Sequence, residues 1–183
     1  MLKLIIFIAF SIGLVYVSRA SLRVPLSRGF YRFLAWEFIL ILFFLNFEQW
    51  FRDPFSLRQL ISWFLLLTSL VPLVLGVHQL RTMGKPEPQR RGDVQLIGIE
   101  KTTQLVTTGV FKYIRHPLYS SLFLLAWGVF FKNPSWAGGF LALGATAFLL
   151  AMAKVEEKEN TRYFGPAYKE YIKETKRFIP FLF

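Results

Sequence analysis

The sequence predicts an all-α integral membrane protein of five transmembrane helices, the last two a helical hairpin, with a cytosolic loop and a helical C-terminal tail. Three observations carry this. Of the 183 residues 54% are apolar, 21 of them phenylalanine. The apolar residues gather in runs long enough to approach or reach the roughly 20 residues that cross a bilayer. And 18 of the 22 lysines and arginines fall in three segments, residues 19–32, 78–117 and 154–183, which share one side if five helices alternate. Positively charged loops stay cytoplasmic, so the amino terminus is expected outside and the carboxyl terminus in the cytosol, in a membrane we expect to be a prokaryotic plasma membrane.

Leu4–Val17 is the first span, short but flanked by Lys3 and Arg19, whose stems can reach past the hydrocarbon. The same run, with "SRA" before Ser21, also fits a cleaved signal peptide, but the following Arg19, Arg23, Arg28 and Arg32 resist export. Phe33–Phe47 is the second span and contains Glu37, close enough to its end to reach headgroups or Arg32. Leu60–Val77 is the third, without a charge. Pro72 should kink it, Gly76 permits a close neighbour, and His78 at its cytosolic end reads as a headgroup contact.

Residues 79–117 form a long connection, loop-like at "RTMGKPEPQRRGD" and more apolar at "LIGIEKTTQLVTTGVFKYI", expected to hold irregular pieces and one helical turn. Leu118–Phe131 and Trp136–Ala153 are the fourth and fifth spans. Only Lys132–Ser135 separates them, which forces the hairpin. The last helix can run to about Phe164. Gly165 suits a stop and Pro166 the first position of another helix, on which Tyr168, Tyr171 and Ile172 share a face.

The net charge of +11 suits loops beside anionic headgroups. It does not suggest nucleic acid, since no basic helix or stacking module accompanies it. With no cysteine, disulfides, thiolate catalysis and cysteine-ligated metal are excluded, and no metal is suggested. The chemical signal is "IRHPLY". Pro117 pushes His116 out of the helical region and favours a helix start. That fixes the imidazole at a helix amino terminus, where unpaired N–H groups and the positive dipole end favour an anion. Arg115 adds a forked donor for a carboxylate or phosphate, and Tyr119 lies in the same first turn. Glu156 and Glu157 leave the fifth span on the same side, so the hairpin should return them close to His116 and Tyr119. Two carboxylates facing an Arg-His cluster suit a zwitterion.

These elements, "LVTTGVF", "RHPLY", "EE" and "FGPAYKEY" in that order, resemble the isoprenylcysteine carboxyl methyltransferase and phospholipid methyltransferase families over roughly residues 95–180. The resemblance implies S-adenosylmethionine as cofactor, in a cytosolic pocket between the last two spans and capped by the loop and tail. It implies cofactor-binding roles for Gln104, Leu105, Val106, His116, Pro117, Tyr119, Glu156 and Glu157, with only the backbone of Leu118 involved, and catalytic roles for Arg115 and Glu156. Residues 1–77 would be a three-helix scaffold on the substrate side and 78–183 the cofactor-binding, catalytic part. The implied partner is a lipidic or small apolar methyl acceptor beside membrane lipid. A prenylated carboxylate and a phospholipid amine stay open, because Met152-Ala153 stands where the isoprenylcysteine enzymes carry an arginine and "LVLGVHQL" lacks a Gly-x-Gly signature. A non-catalytic membrane binding protein of the same fold is the alternative. The sequence leaves the oligomeric state open.

Overall fold

Each apolar run of the sequence lies on one helix. In the computed structural model, which describes residues 1–86 and 101–180, these are α1 (Leu2–Leu22), α2 (Arg28–Leu45), α3 (Leu57–Thr82), α4 (Pro117–Phe130) and α5 (Trp136–Phe164), followed by α6 (Pro166–Glu174). Ser27 and Ser135 cap α2 and α5, their hydroxyls accepting the N–H of Phe30 and Gly138 at 3.1 Å. The hairpin turn, the exit of α5 at Gly165 (φ 62°) and the start of α6 at Pro166 fall where the residue types demand. A single turn at Gly109–Lys112 is the helical piece of the long connection. Residues 87–100, which hold most of "PEPQRRGD" and the following "VQLIGIE", lie outside the described residues.

The helices pack in a row: α1 on α2, α2 on α5, α5 on α4, α4 on α3. Small side chains let them approach. Ala35, Ala126, Ala142, Ala145 and Ala153 are fully buried between Leu42, Leu149 and Met152. Among the described residues α1, α3 and α5 are long and apolar enough to cross a membrane, and α4 is a shorter apolar helix. Leu4, Ile5, Ile8 and Ile12 on α1, and Leu67, Leu70 and Val74 on α3, point away from the core, as lipid-facing side chains would. At 29 residues, α5 is about 43 Å long and exceeds a hydrocarbon core of about 30 Å. Its charged last third, from Lys154, therefore projects beyond the apolar segment.

Pro72 lies buried inside α3, which runs without a break in its assignment from Leu57 to Thr82. Glu37 lies in the interface between α1 and α2: Ser11 of α1 donates to its Oε2 at 2.6 Å, and its Oε1 is buried without a hydrogen-bond partner. Arg32 lies over the Trp36 ring, 5.5 Å from the centroid.

The end of the hairpin opposite Glu156 is closed by Lys132, fully buried in the α4–α5 turn. Its ammonium donates to Gln59 Oε1 at 2.9 Å and sits 3.6 Å from the Trp63 ring centroid. The Gln59 amide N–H in turn donates to the carbonyls of Gln49 and Arg52. Lys132→Met keeps the stem but leaves Gln59 Oε1 unpaired in the interior, which costs about 1–3 kcal/mol. We expect the melting temperature of the detergent-solubilised protein to fall by several degrees, as read by thermal unfolding. An unchanged melting temperature would show that the aromatic box does not hold the hairpin to α3.

Candidate active site

His116 is the residue on which three chain segments meet. Pro117 opens α4 as expected, and His116 before it has φ −124°, ψ 62°, outside the helical region though short of fully extended. The C-terminal tail doubles back beside it. Ile114 and Lys176 form a parallel bridge, the N–H groups of Arg115 and His116 donate to the carbonyls of Lys176 and Arg177 at 2.8 and 3.2 Å, and Lys176 N–H donates to Tyr113 O. The Ser120 hydroxyl reaches both His116 O and Phe178 O, at 3.0 and 2.8 Å. Tyr171 donates to Phe111 O at 2.7 Å, tying α6 to the turn before the join.

The imidazole is only 3% exposed. It stacks parallel on Tyr119 with centroids 5.1 Å apart, and Phe178 meets it edge-on. Its Nδ1 lies 3.3 Å from Glu156 Oε2 and its Nε2 lies 3.4 Å from Glu157 Oε1. Thus the helix start of α4 and the exit of α5 form one cluster. Glu156 also accepts from the Tyr119 hydroxyl, and its Oε1 is 3.1 Å from Arg28 Nη1 of α2. Glu157 takes Arg115 Nε at 3.0 Å and Arg177 Nη2 at 2.9 Å.

Both carboxylates lie beyond the apolar part of α5, and their environment fixes their charge. Burial alone would raise Glu156, but the charge of Arg28, then His116 and the Tyr119 hydrogen bond, bring it down from 4.5 to about 2. Glu157 is likewise pushed up by burial and drawn lower still by His116, Arg177 and Arg115. Burial would lower His116, yet its bonds and attraction to the two carboxylates raise it above 6.5. Each ring nitrogen faces a carboxylate, an arrangement that favours the protonated ring. Tyr168 and Tyr171 are raised, chiefly by burial, and stay protonated donors.

Seven of the expected cofactor-binding residues, Gln104, Leu105, Val106, His116, Pro117, Tyr119 and Glu156, line one cavity. Its other walls include Phe111, Asn160, Phe164, Tyr168 and Tyr171. The remaining expected residues sit as follows. Glu157 does not line this cavity: successive residues lie about 100° apart around a helix, so when Glu156 faces the cavity Glu157 faces Arg115 and Arg177. Arg115 borders the cavity, but its Nε is taken by Glu157 and its Nη1 by the carbonyls of Ile172 and Thr175. It fastens the tail rather than offering a free fork to an anion. Leu118 borders the cavity, and its side chain packs on Gly76 of α3. Arg28, Arg177 and Phe178 were not expected at the site. For Arg28 and Arg177 the sole sequence signal was a cation within reach of a membrane face that also holds the glutamates.

Residues 92–167 match the family model described as phospholipid methyltransferase. The match holds the whole α4–α5 hairpin with His116, Tyr119, Glu156 and Glu157. The chain is also 34% identical over 97 residues to methanethiol S-methyltransferase 2 of Bradyrhizobium diazoefficiens, covering 51% of this chain and 36% of that protein. It is 31% identical over 78 residues to methanethiol S-methyltransferase of Crocosphaera subtropica, covering 42% of this chain and 29% of that one. The alignments thus span about a third of the length of these curated relatives. No solved structure matches the chain significantly.

Proposed function

We propose that the protein transfers the methyl group of S-adenosylmethionine to a small apolar acceptor at the cytosolic face of a membrane, and that a thiol of the methanethiol type is the favoured acceptor. The observation that carries this reading is the Tyr119–Glu156–His116 cluster set in the wall of a cavity built by the phospholipid methyltransferase segment. Five spans, with the cavity on the positively charged side and α6 with the tail as its cap, complete the reading.

The residues present suit this cofactor. Glu156 is a fixed carboxylate for an ammonium or ribose hydroxyls. Gln104 and Asn160 offer amides, and Phe111, Phe164 and Tyr168 offer faces for a ring or a sulfonium. When bound, S-adenosylmethionine supplies an electrophilic methyl group. The protein's own tasks are then alignment and exclusion of water. Glu156 and the backbone around Leu105 orient, while the buried tyrosines and Phe111 keep the wall dry. With both nitrogens of His116 facing carboxylates, a thiol acceptor would give its proton to water as its sulfur attacks.

A small acceptor is favoured by the close seam between α3 and α4 beside the cavity, where a Cβ on Gly76 would lie 2.8 Å from Leu118 Cδ1 and 3.0 Å from Pro117 Cγ. That contact leaves little width for a bulky lipid to pass between those helices. The test is calorimetric binding of S-adenosylmethionine to the solubilised protein, followed by transfer of labelled methyl to methanethiol, a prenylcysteine or phosphatidylethanolamine. Binding with transfer to methanethiol supports the reading. Transfer to phosphatidylethanolamine alone would move the acceptor to the phospholipid amine alternative, and absence of binding would leave a non-catalytic membrane protein.

A further inference from the structure

We infer that Arg28, on α2 and outside the segment shared with the family, is the positioning residue that aims Glu156 into the cavity, so that the amino-terminal helices complete the donor site rather than merely scaffold it. The inference rests on the functional reading above. It begins from the burial of Arg28, which is 2% exposed, an unusual place for a guanidinium unless a specific partner holds it. That partner is Glu156, with Nη1 at 3.1 Å from Oε1, while Nε is 3.7 Å from Glu159 Oε2. Glu159 is one turn further along α5, so the guanidinium spans two carboxylates on one helix face.

The arrangement divides the work on Glu156 between its two oxygens. Oε2 is engaged by the Tyr119 hydroxyl and His116 Nδ1, both from the family segment. Oε1 is held from the opposite side by Arg28. A carboxylate gripped at one oxygen can still rotate about its last torsion, because such sp³–sp² torsions are broad. Gripped at both, it has one orientation. Arg28 is also the leading opposite charge that keeps Glu156 ionised against its burial.

The local chain is shaped to deliver Arg28. It is the first residue of α2, directly after the Ser27 cap. Leu26 just before has φ 62°, a left-handed conformation that a leucine rarely adopts and that persists only where its surroundings impose it. The turn from α1 into α2 thereby folds the guanidinium inward although Leu26 itself is 67% exposed. No packing of the leucine side chain accounts for that conformation.

The test compares S-adenosylmethionine binding by calorimetry for the full-length protein and for Arg28→Lys and Arg28→Met, with melting temperatures recorded alongside. A lysine ammonium can reach one carboxylate but cannot bridge two. We expect Arg28→Met to weaken binding by about 10-fold or more, in line with loss of a charge-assisted contact, and Arg28→Lys by about 2- to 5-fold. A merely structural role would lower the melting temperature of both without this graded loss of affinity. Wild-type affinity in either variant, or equal losses in both, overturns the inference. If Arg28→Met does not fold, Arg28→Lys decides, since affinity equal to wild type is by itself sufficient to overturn it. Wild-type protein that gives no heat with S-adenosylmethionine overturns the parent reading and this inference with it, an outcome distinct from normal wild-type binding with unaffected variants.

Discussion

Glu156→Gln is expected to lower S-adenosylmethionine affinity by about 100-fold and the folding free energy by about 3 kcal/mol, because it breaks a buried charge pair from one side. The amide can still accept from Tyr119, so the loss is that of charge rather than shape. Arg28 loses the carboxylate oxygen 3.1 Å from its Nη1, and His116 loses the one 3.3 Å from its Nδ1. The stability share follows from proton affinity as well. Glu156 is held at about 2 against 4.5, and at about 1.4 kcal/mol per tenfold change in proton affinity that difference is of the order of 3 kcal/mol. The companion Glu159→Gln removes a carboxylate whose side chain is 30% exposed, and should change affinity by less than about threefold. Calorimetry on both variants checks this. Glu156→Gln binding as tightly as wild type would mean that the carboxylate does not hold the donor.

Much of this site was legible because its signals are local. A proline after His116 dictates a helix start at the next residue, and α4 begins at Pro117. A four-residue gap between apolar runs leaves no alternative to a hairpin, and the hairpin carries Glu156 back to Tyr119. Gly165 with φ 62° ends α5 where a residue lacking a Cβ was expected to do so. These features needed no knowledge of the rest of the fold.

What was hidden lies in partner choice across the bundle. Nothing in the surroundings of Arg28 distinguishes it from Arg23 or Arg32, and only the packing of α2 on α5 selects it for Glu156. Arg115 looked like a donor awaiting an anion because its neighbours in sequence leave it unpaired. The tail then brought the carbonyls of Ile172 and Thr175 and the carboxylate of Glu157 to it. The adjacent glutamates read as one acidic couple, whereas the helix turns them toward different partners. The division of the chain at residue 77 is blurred in the same way, since a residue of α2 grips one of the carboxylates assigned to the later part.

The largest structural effect should come from Glu157→Ala, because Glu157 is the carboxylate on which Arg115, His116 and Arg177 converge. Removing it leaves the Arg115 guanidinium, whose side chain is 7% exposed, without its carboxylate, and such a loss costs about 3–5 kcal/mol. The strain should appear first where the tail lies along the join, held by the N–H groups of Arg115 and His116 on Lys176 O and Arg177 O. Amide hydrogen exchange at Arg115 and His116 is therefore expected to accelerate by about 100-fold or more, well ahead of amides within α3. Arg177→Met, which removes a cation 29% exposed, should accelerate it by only about tenfold. The same cluster sets a pH optimum. Both glutamates are lowered from 4.5, so their contribution is complete above about 4.5 and is lost as pH falls through about 2 for Glu156 and lower for Glu157. His116 is raised from 6.5, so its contribution is complete below about 6.5 and is lost as pH rises through its higher folded value. The tail should accordingly be held best between about pH 4.5 and 6.5, with opening rates, corrected for intrinsic exchange, rising on both sides of that window. Opening of the two amides that is independent of pH, or unchanged in Glu157→Ala, would show that backbone pairing alone fastens the tail.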